Sequence, residues 1–364
     1  MAITGEKELR RGWTTGACAT AATKAAYQAL LTGTFPDPIE ISLPRGGTAD
    51  FVLTQHRLAD GSASATITKD AGDDPDATHG ALVKSTIRLL PAGNGVYFKA
   101  GKGVGTVTRA GLPIPPGEPA INPIPRQMME VAIAEVNSAF GGNGDVEIEI
   151  SIQGGEEIAK KTMNPRLGIV GGLSVLGTTG IVKPFSCAAW IASIHRGIDV
   201  ARAAGLDHVV GATGSMSEGA VQKRYTLDEV AYLDMGDFAG GLLKYLRHHP
   251  IPRITMAGGF AKFTKLARGA LDLHSARSSV DFSFLQNLLR DADAPGQLVD
   301  HAATANTAKE VLDFALKNDV NLSAPLARQT KSAVQTILRD APVQVEVLIV
   351  DREGNVLGEC GFDD

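Results

Sequence analysis

Only three cysteines occur in 364 residues, Cys18, Cys187 and Cys360, and no two form a CxxC pair. Their isolation excludes a zinc ribbon and a disulfide framework, and it suits a reducing, cytoplasmic setting. Aromatic residues are scarce at 5%, so no base-stacking surface for single-stranded nucleic acid is expected. Basic charge is not in excess either: a net charge of −5 provides no broad field for a polyanion. No apolar run approaches the ~18 residues of a membrane-spanning helix. The start, MAITGEKELRRGW, has no apolar core of a secretory signal. Neither nucleic acid nor membrane is expected as a partner, while a homo-oligomer is left open.

What is present suits a soluble globular protein, with 44% apolar and 21% charged residues. The length favours two domains, and 41 glycines point to many tight turns. ACATAATKAAYQALL, following Thr14, Thr15 and Gly16, predicts a helix to about Leu31, stopped near Gly33. IEISLP (39–44), ADFVLTQHRL (49–58), SASATITKD and VYFKAGKGVGTVT (96–108) read as strands. The proline-rich 111–125 is a loop, RQMMEVAIAEVNSAF is a helix and DVEIEISI alternates as a strand. A boundary near 160 then divides an N-terminal α+β domain, 1–160, from a C-terminal α/β domain, 161–364. In the second half strands alternate with helices, at DHVVGATGSMSEGAVQKRY and again at PRITMAGGFAKFTKLARGAL. That rhythm predicts a mostly parallel sheet with crossover helices, and PVQVEVLIVDREGNVLGEC closes it as a hairpin.

The glycine loops do not carry a dinucleotide fingerprint. GATGSMSEG (211–219) is not GxGxxG, and GGLSVLGTT (171–179) lacks the lysine of a P-loop. The first of these loops does place Thr213, Ser215 and Glu218 at a predicted helix start, where unpaired N–H groups favour polar ligands. KDAGDDPDATHG (69–80) gathers Asp70, Asp73, Asp74, Asp76 and His79. It fails the calcium-loop pattern in both registers, and a single histidine is too little for a transition metal. No protein-held metal is expected. The stretch reads either as an acidic turn, with Asp73 or Asp76 as a helix cap, or as a proton-transfer cluster, since crowded carboxylates raise one another's pKa.

The sequence as a whole resembles the CbiD family of cobalt-precorrin-5B C1-methyltransferases. The likeness runs through GWTTGACATAATKAA (12–26), KDAGDDPDATHG (69–80), GLPIPPGEPAINPIPRQM (111–128), NPRLGIVGGLSVLGTTGIVKPFS (164–186), GATGSMSEGA (211–220), and the segment from MAGGFAKFTKLA to LDLHSARSSVDFSFL (256–285). One departure is Ala270, where a histidine commonly precedes LDLHS in the family, while His274 is retained. The resemblance implies methyl transfer from S-adenosylmethionine to C1 of a contracted tetrapyrrole in cobalamin biosynthesis, on a fold distinct from the common tetrapyrrole methylases.

Such a substrate is fringed with carboxylates, so local basic groups must recognise it. Arg126, Lys183, Lys262 and Lys265 stand in or beside the matched segments, with Arg268 nearby. Lys262 and Lys265 are expected to share a helix face. Asp70, Asp73, Asp74 and His79 are then expected to handle protons and orient the ring. Thr14, Thr15 and Gly16 should receive an anion at a helix start, a substrate carboxylate or the carboxylate of the cofactor's methionine part. The loop of Gly211, Thr213, Gly214, Ser215 and Glu218 is the first candidate for the cofactor, with Thr178 and Thr179 second. Two other classes compete: a non-catalytic tetrapyrrole or cobalt carrier, with His79 or His274 as axial ligand, and an NAD(P)-dependent oxidoreductase. The latter would need the absent glycine fingerprint. Binding separates them, because a methyltransferase should take S-adenosylhomocysteine, an oxidoreductase NAD(P), and a carrier neither.

Overall fold

The computed structural model describes residues 9–363. The chain divides into two compact units, Met1–Cys187 and Ala188–Asp364. In the first unit the elements are β1 (Gly12–Trp13), α1 (Thr15–Thr32), β2 (Ile39–Ser42), β3 (Thr48–Phe51), β4 (Gln55–Ala59), β5 (Ser62–Thr68), β6 (Leu82–Leu89), β7 (Val96–Ala100), β8 (Gly103–Val104) and β9 (Thr106–Val107). There follow α2 (Pro123–Phe140), β10 (Val146–Ile152), α3 (Gly155–Ala159), β11 (Ile169–Val170), β12 (Gly172–Leu173) and β13 (Ile181–Val182). The segment after 160 stays with this unit rather than opening the second, because its short strands pair backwards: β11 with β9, β12 with β8 and β13 with β1.

A five-stranded sheet of order β4-β5-β6-β10-β7 is the frame of the first unit. Alternation in β10 turns Val146, Ile148, Ile150 and Ile152 inward, leaving Glu147 and Glu149 on the open face with Arg88 and Lys99. Helix α1 lies against β5 and β6. Its run of alanines allows close approach, and Thr23 bonds Ser85 of β6 at 2.8 Å. Thr14 caps the helix by accepting from Ala17 N–H, and Gly33, at φ 78°, closes it. The expected strand over 49–58 is two strands, β3 and β4, separated at 52–54.

The second unit holds α4 (Cys187–Ala203, whose first residue falls in the first unit), β14 (His208–Ala212), α5 (Ser215–Arg224), β15 (Tyr232–Asp234), α6 (Ala239–His248), β16 (Arg253–Gly259) and α7 (Phe260–Ala267). Then come α8 (Phe282–Asp291), α9 (Gly296–Thr304), α10 (Ala308–Leu316), α11 (Ser323–Leu338), β17 (Gln344–Val350) and β18 (Val356–Cys360). The sheet order is β15-β14-β16-β17-β18, parallel except for β18. Its strands carry apolar residues on both faces, as a sheet covered on both sides requires. Val209, Ile254, Met256, Val345, Val347 and Ile349 meet helices on one face; Val210, Ala257, Leu348 and Val350 meet α5 on the other. The chain leaves β14 toward β15 on one side and later returns to β16 on the other. The crevice at the carboxyl ends of β14 and β16 is therefore the topological switch point, where open α/β sheets bind ligands.

Across the α5 side of this sheet runs a buried polar row. His208 Nε2 lies 2.8 Å from Thr255 Oγ1, which donates at 2.7 Å to Glu346; Tyr225 and Arg224 complete the network at 3.0 and 3.2 Å. Because the threonine proton goes to the carboxylate, His208 must donate from Nε2 and is neutral. Burial pushes its pKa down to about 4. The unfolded state, with an ordinary imidazole near 6.5, binds the proton first, so stability is full above that value and falls as pH drops toward 4. The loss should approach roughly 3 kcal/mol. Denaturant titrations at pH 7.5 and 4.5 should show it in the wild type, and His208→Gln should flatten that pH slope.

Candidate active site

The first unit brings three of the long sequence strings together around residues 10–16. Trp13 N–H donates to Asp70 O at 2.7 Å, Thr14 N–H to Gly180 O at 2.9 Å and Gly16 N–H to Leu176 O at 2.9 Å. Strand β1 pairs with β13 on this side. Gly12 and Gly177 are needed for the close approach. A Cβ on Gly12 would lie 2.0 Å from the carbonyl carbon of Ala71, and one on Gly177 2.2 Å from Thr14 Oγ1.

The acidic stretch is a closed turn with no helix after it, so neither Asp73 nor Asp76 caps one. Lys69 and Gly80 lock its base, Gly80 N–H donating to Lys69 O at 2.8 Å and Lys69 N–H to Ala81 O at 2.9 Å. Lys69 is only 1% exposed, and its ammonium bonds Asp76 at 2.5 Å. Burial pushes the Asp76 carboxyl up, but Lys69 and Thr78 pull harder and leave it below its ordinary value. Arg10 clamps the other side. Its guanidinium grips both oxygens of Asp70, and its backbone N–H donates to Asp73 Oδ2 at 2.7 Å. The Arg10 bond, aided by Gly72 N–H, holds Asp70 down to about 2. Asp70 is thus a fixed carboxylate and a poor proton acceptor near neutral pH.

Asp74 is held differently. One oxygen accepts from Phe185 N–H at 2.7 Å, and no cation pairs with it among the described residues. Phe185 is exposed and sits at φ 54°, a backbone region that bulky residues rarely occupy. His79 is exposed, and its Nδ1 accepts from Ala71 N–H at 3.1 Å. The neutral ring therefore carries its proton on Nε2, while Asp70 stands 3.9 Å from Nδ1. Cys18, beneath this region, is pushed up to about 12 by burial and is inert packing.

Several expected ligand groups are otherwise engaged. Thr14, Thr15 and Gly16 do not form an open anion site: both threonines are buried, the Thr14 hydroxyl caps Ala17, and Gly16 N–H is held by Leu176. Arg126 staples its own loop, donating to Ile121 O, Pro119 O and Glu118 and lying over Phe98. Thr179 closes a turn on Ile181, whereas Thr178 and Lys183 are exposed. In the second unit Lys265 is buried and donates to the carbonyls of Leu273 and Ser278, so it does not share an open face with Lys262. Lys262 reaches Thr213 O and Asp237, each at 3.1 Å. Arg268 pairs with Asp281. His274 Nδ1 accepts from Ala276 N–H.

The 211–218 loop divides in two. Gly211 lies inside β14, where a Cβ would strike Leu242 at 2.6 Å, and so serves packing. Thr213, Gly214 and Ser215 emerge at the switch point, with Glu218 in the first turn of α5 bonded by Gln222. A Cβ on Gly214 would meet nothing within 4 Å. Residues that sequence reasoning passed over are Arg10, Lys69 and Phe185. Of these, Lys69 had a readable signal, a charge at the end of an alternating strand.

The CbiD family model matches residues 2–184, and the model of the CbiD C-terminal domain matches residues 272–361. This chain belongs to the CbiD family. A relative from Brucella anthropi called cobalt-precorrin-5B C(1)-methyltransferase is 61% identical over 96% of this chain and 95% of its own. Relatives of the same name from Brucella canis (59%, covering 96% and 95%) and a Bradyrhizobium species (57%, covering 97% and 94%) align over nearly full length. A crystal structure of a cobalamin biosynthesis protein (cbiD) from Archaeoglobus fulgidus matches 88% of each chain at 22% identity, with a TM-score of 0.40. In this CbiD protein, no helix among the described residues is long and apolar enough to cross a membrane. No group of three or more metal-ligating side chains is gathered among them.

Removing Asp76 strands a charged ammonium in the core, so Asp76→Ala should cost roughly 3–5 kcal/mol in chemical denaturation. Replacing both partners, Lys69→Met with Asp76→Ala, should recover most of that loss.

Proposed function

We propose that this chain transfers a methyl group from S-adenosylmethionine to C1 of cobalt-precorrin-5B in cobalamin biosynthesis. The observation that carries the reading is identity near 60% with enzymes of that name over almost the whole chain. The proposal includes the cytoplasmic setting expected from the isolated cysteines. S-adenosylmethionine supplies a methyl group on a sulfonium. C1 displaces the sulfur, the bonding pair stays with sulfur, S-adenosylhomocysteine leaves, and the macrocycle sheds a proton.

The switch point of the second unit fits the cofactor. Gly214 leaves open space, the start of α5 offers N–H donors for the methionine carboxylate, and Thr213 and Ser215 add hydroxyls. In the first unit the ring-handling groups are assigned by what already holds them. Asp74 is assigned as the proton acceptor, since no cation pairs with it among the described residues, whereas Arg10 grips Asp70. His79 presents Nε2–H as a donor that orients the ring. Asp73 and Arg10 hold the loop. Lys183, exposed beside β13, meets a substrate carboxylate.

The carrier reading is disfavoured by the two candidate axial histidines. Both accept backbone N–H bonds at Nδ1, which places the proton on Nε2 and makes that atom a donor.

Methyl transfer from labelled S-adenosylmethionine to cobalt-precorrin-5B tests the proposal. Wild type should transfer. Asp74→Asn, which keeps an acceptor for Phe185 N–H, should lose about 10²–10⁴-fold in rate with S-adenosylhomocysteine affinity unchanged. Unchanged transfer in the variant would return Asp74 to a purely loop-forming role. No transfer and no cofactor binding by wild type would refute the methyltransferase assignment.

A further inference from the structure

The second unit contains an acid and an indole that the sequence motifs did not point to. Strand β15 ends at Asp234, which stands in register with Ala212, the last residue of neighbouring β14. Immediately beyond it, Met235 and Gly236 donate their N–H groups to Ala212 O at 3.1 and 3.2 Å, folding the chain toward the carboxyl end of β14. Trp190 lies alongside. Its Nε1–H donates to Asp234 O at 2.9 Å, its ring packs over bare backbone at Gly236, and it remains 45% exposed. One end of the sheet thus assembles a glycine turn, a helix start, a carboxylate ending the adjacent strand and an exposed aromatic plane.

In doubly wound sheets a carboxylate about twenty residues past the first glycine turn, at the end of the neighbouring strand, accepts hydrogen bonds from the hydroxyls of an adenosine ribose. Asp234 occupies that place relative to the turn at Gly214. We infer that Asp234 binds the ribose hydroxyls of the adenosyl group of S-adenosylmethionine, with Trp190 as the wall of the nucleoside subsite; this rests on the cofactor reading proposed above. The inference also accounts for the missing GxGxxG. The second glycine of that motif admits a pyrophosphate close to the backbone. An adenosyl sulfonium has no phosphate, so one open glycine suffices while the strand-end acid is retained.

The test is calorimetric binding of S-adenosylhomocysteine and of its 2′-deoxy analogue to the full chain. A hydroxyl donated to a carboxylate away from bulk water should be worth about tenfold to a hundredfold in affinity. Wild type should therefore prefer S-adenosylhomocysteine over the analogue by at least that lower figure. Asp234→Asn should weaken S-adenosylhomocysteine by a similar factor and abolish most of the preference, with the analogue's affinity little changed. Fluorescence of Trp190, read in a Trp13→Phe background, should change on binding. Equal binding of the two ligands by wild type would overturn the inference without using any variant, as would an Asp234→Asn protein that keeps the full preference. In both cases the cofactor reading stands. Failure of wild type to bind either ligand would instead overturn the cofactor reading and this inference with it.

Discussion

A lysine ammonium enclosed in the protein must have a counter-ion, and in the first unit that demand sets the shape of the acidic loop. Lys69 follows strand β5 with its side chain enclosed in the core, and Asp76 is the carboxylate that reaches it. Once Asp76 is drawn inward, the rest of 69–80 must arch over it. The arch carries Asp70 and Asp73 to Arg10, Asp74 to Phe185, and His79 to the outer rim. Four acids in seven residues are therefore four different groups. One neutralises the core, two meet an arginine, and one has, among the described residues, a single backbone donor.

The same economy of partners governs the second unit. Parallel strands are closed on both faces, so polar residues survive in the sheet only where a complete row satisfies them. His208, Thr255 and Glu346 form such a row under the end of α5. With that end of the sheet tied to α5 through Arg224 and Tyr225, the opposite end is where loops are short, glycine-bearing and open. The buried polar row thus lies toward the amino ends of the strands, and the open glycine turn at their carboxyl ends.

Much of this was legible from residue patterns. The alternation of DVEIEISI, the alanine-rich α1 and the strand–glycine–helix rhythm of the second half each translate into the observed elements, because burial on one face or both imposes its own period. Family membership followed from long strings in order. The site was less legible. Which acid of 69–80 pairs with which cation depends on Arg10 and on Lys69 pointing inward, contacts that spacing does not encode. Lys265 reads as a surface cation yet is buried, since carbonyls at 273 and 278 curl back to meet it. The segment 161–187 reads as the start of a new domain but returns to pair with β1, β8 and β9. Helices α8 to α11 left little trace in motifs, as their role is to cover a sheet face.

The central claim is that this anchored arch fixes His79 as a donor. The most direct measurement is the nitrogen NMR spectrum of histidine-labelled protein, with His79 assigned by substitution, at a pH where the ring is neutral. The account requires Nδ1 to appear as a deprotonated acceptor and Nε2 as protonated, with this preference weakened in Asp76→Asn. A wild-type ring protonated at Nδ1, or averaged between the two forms, would contradict it.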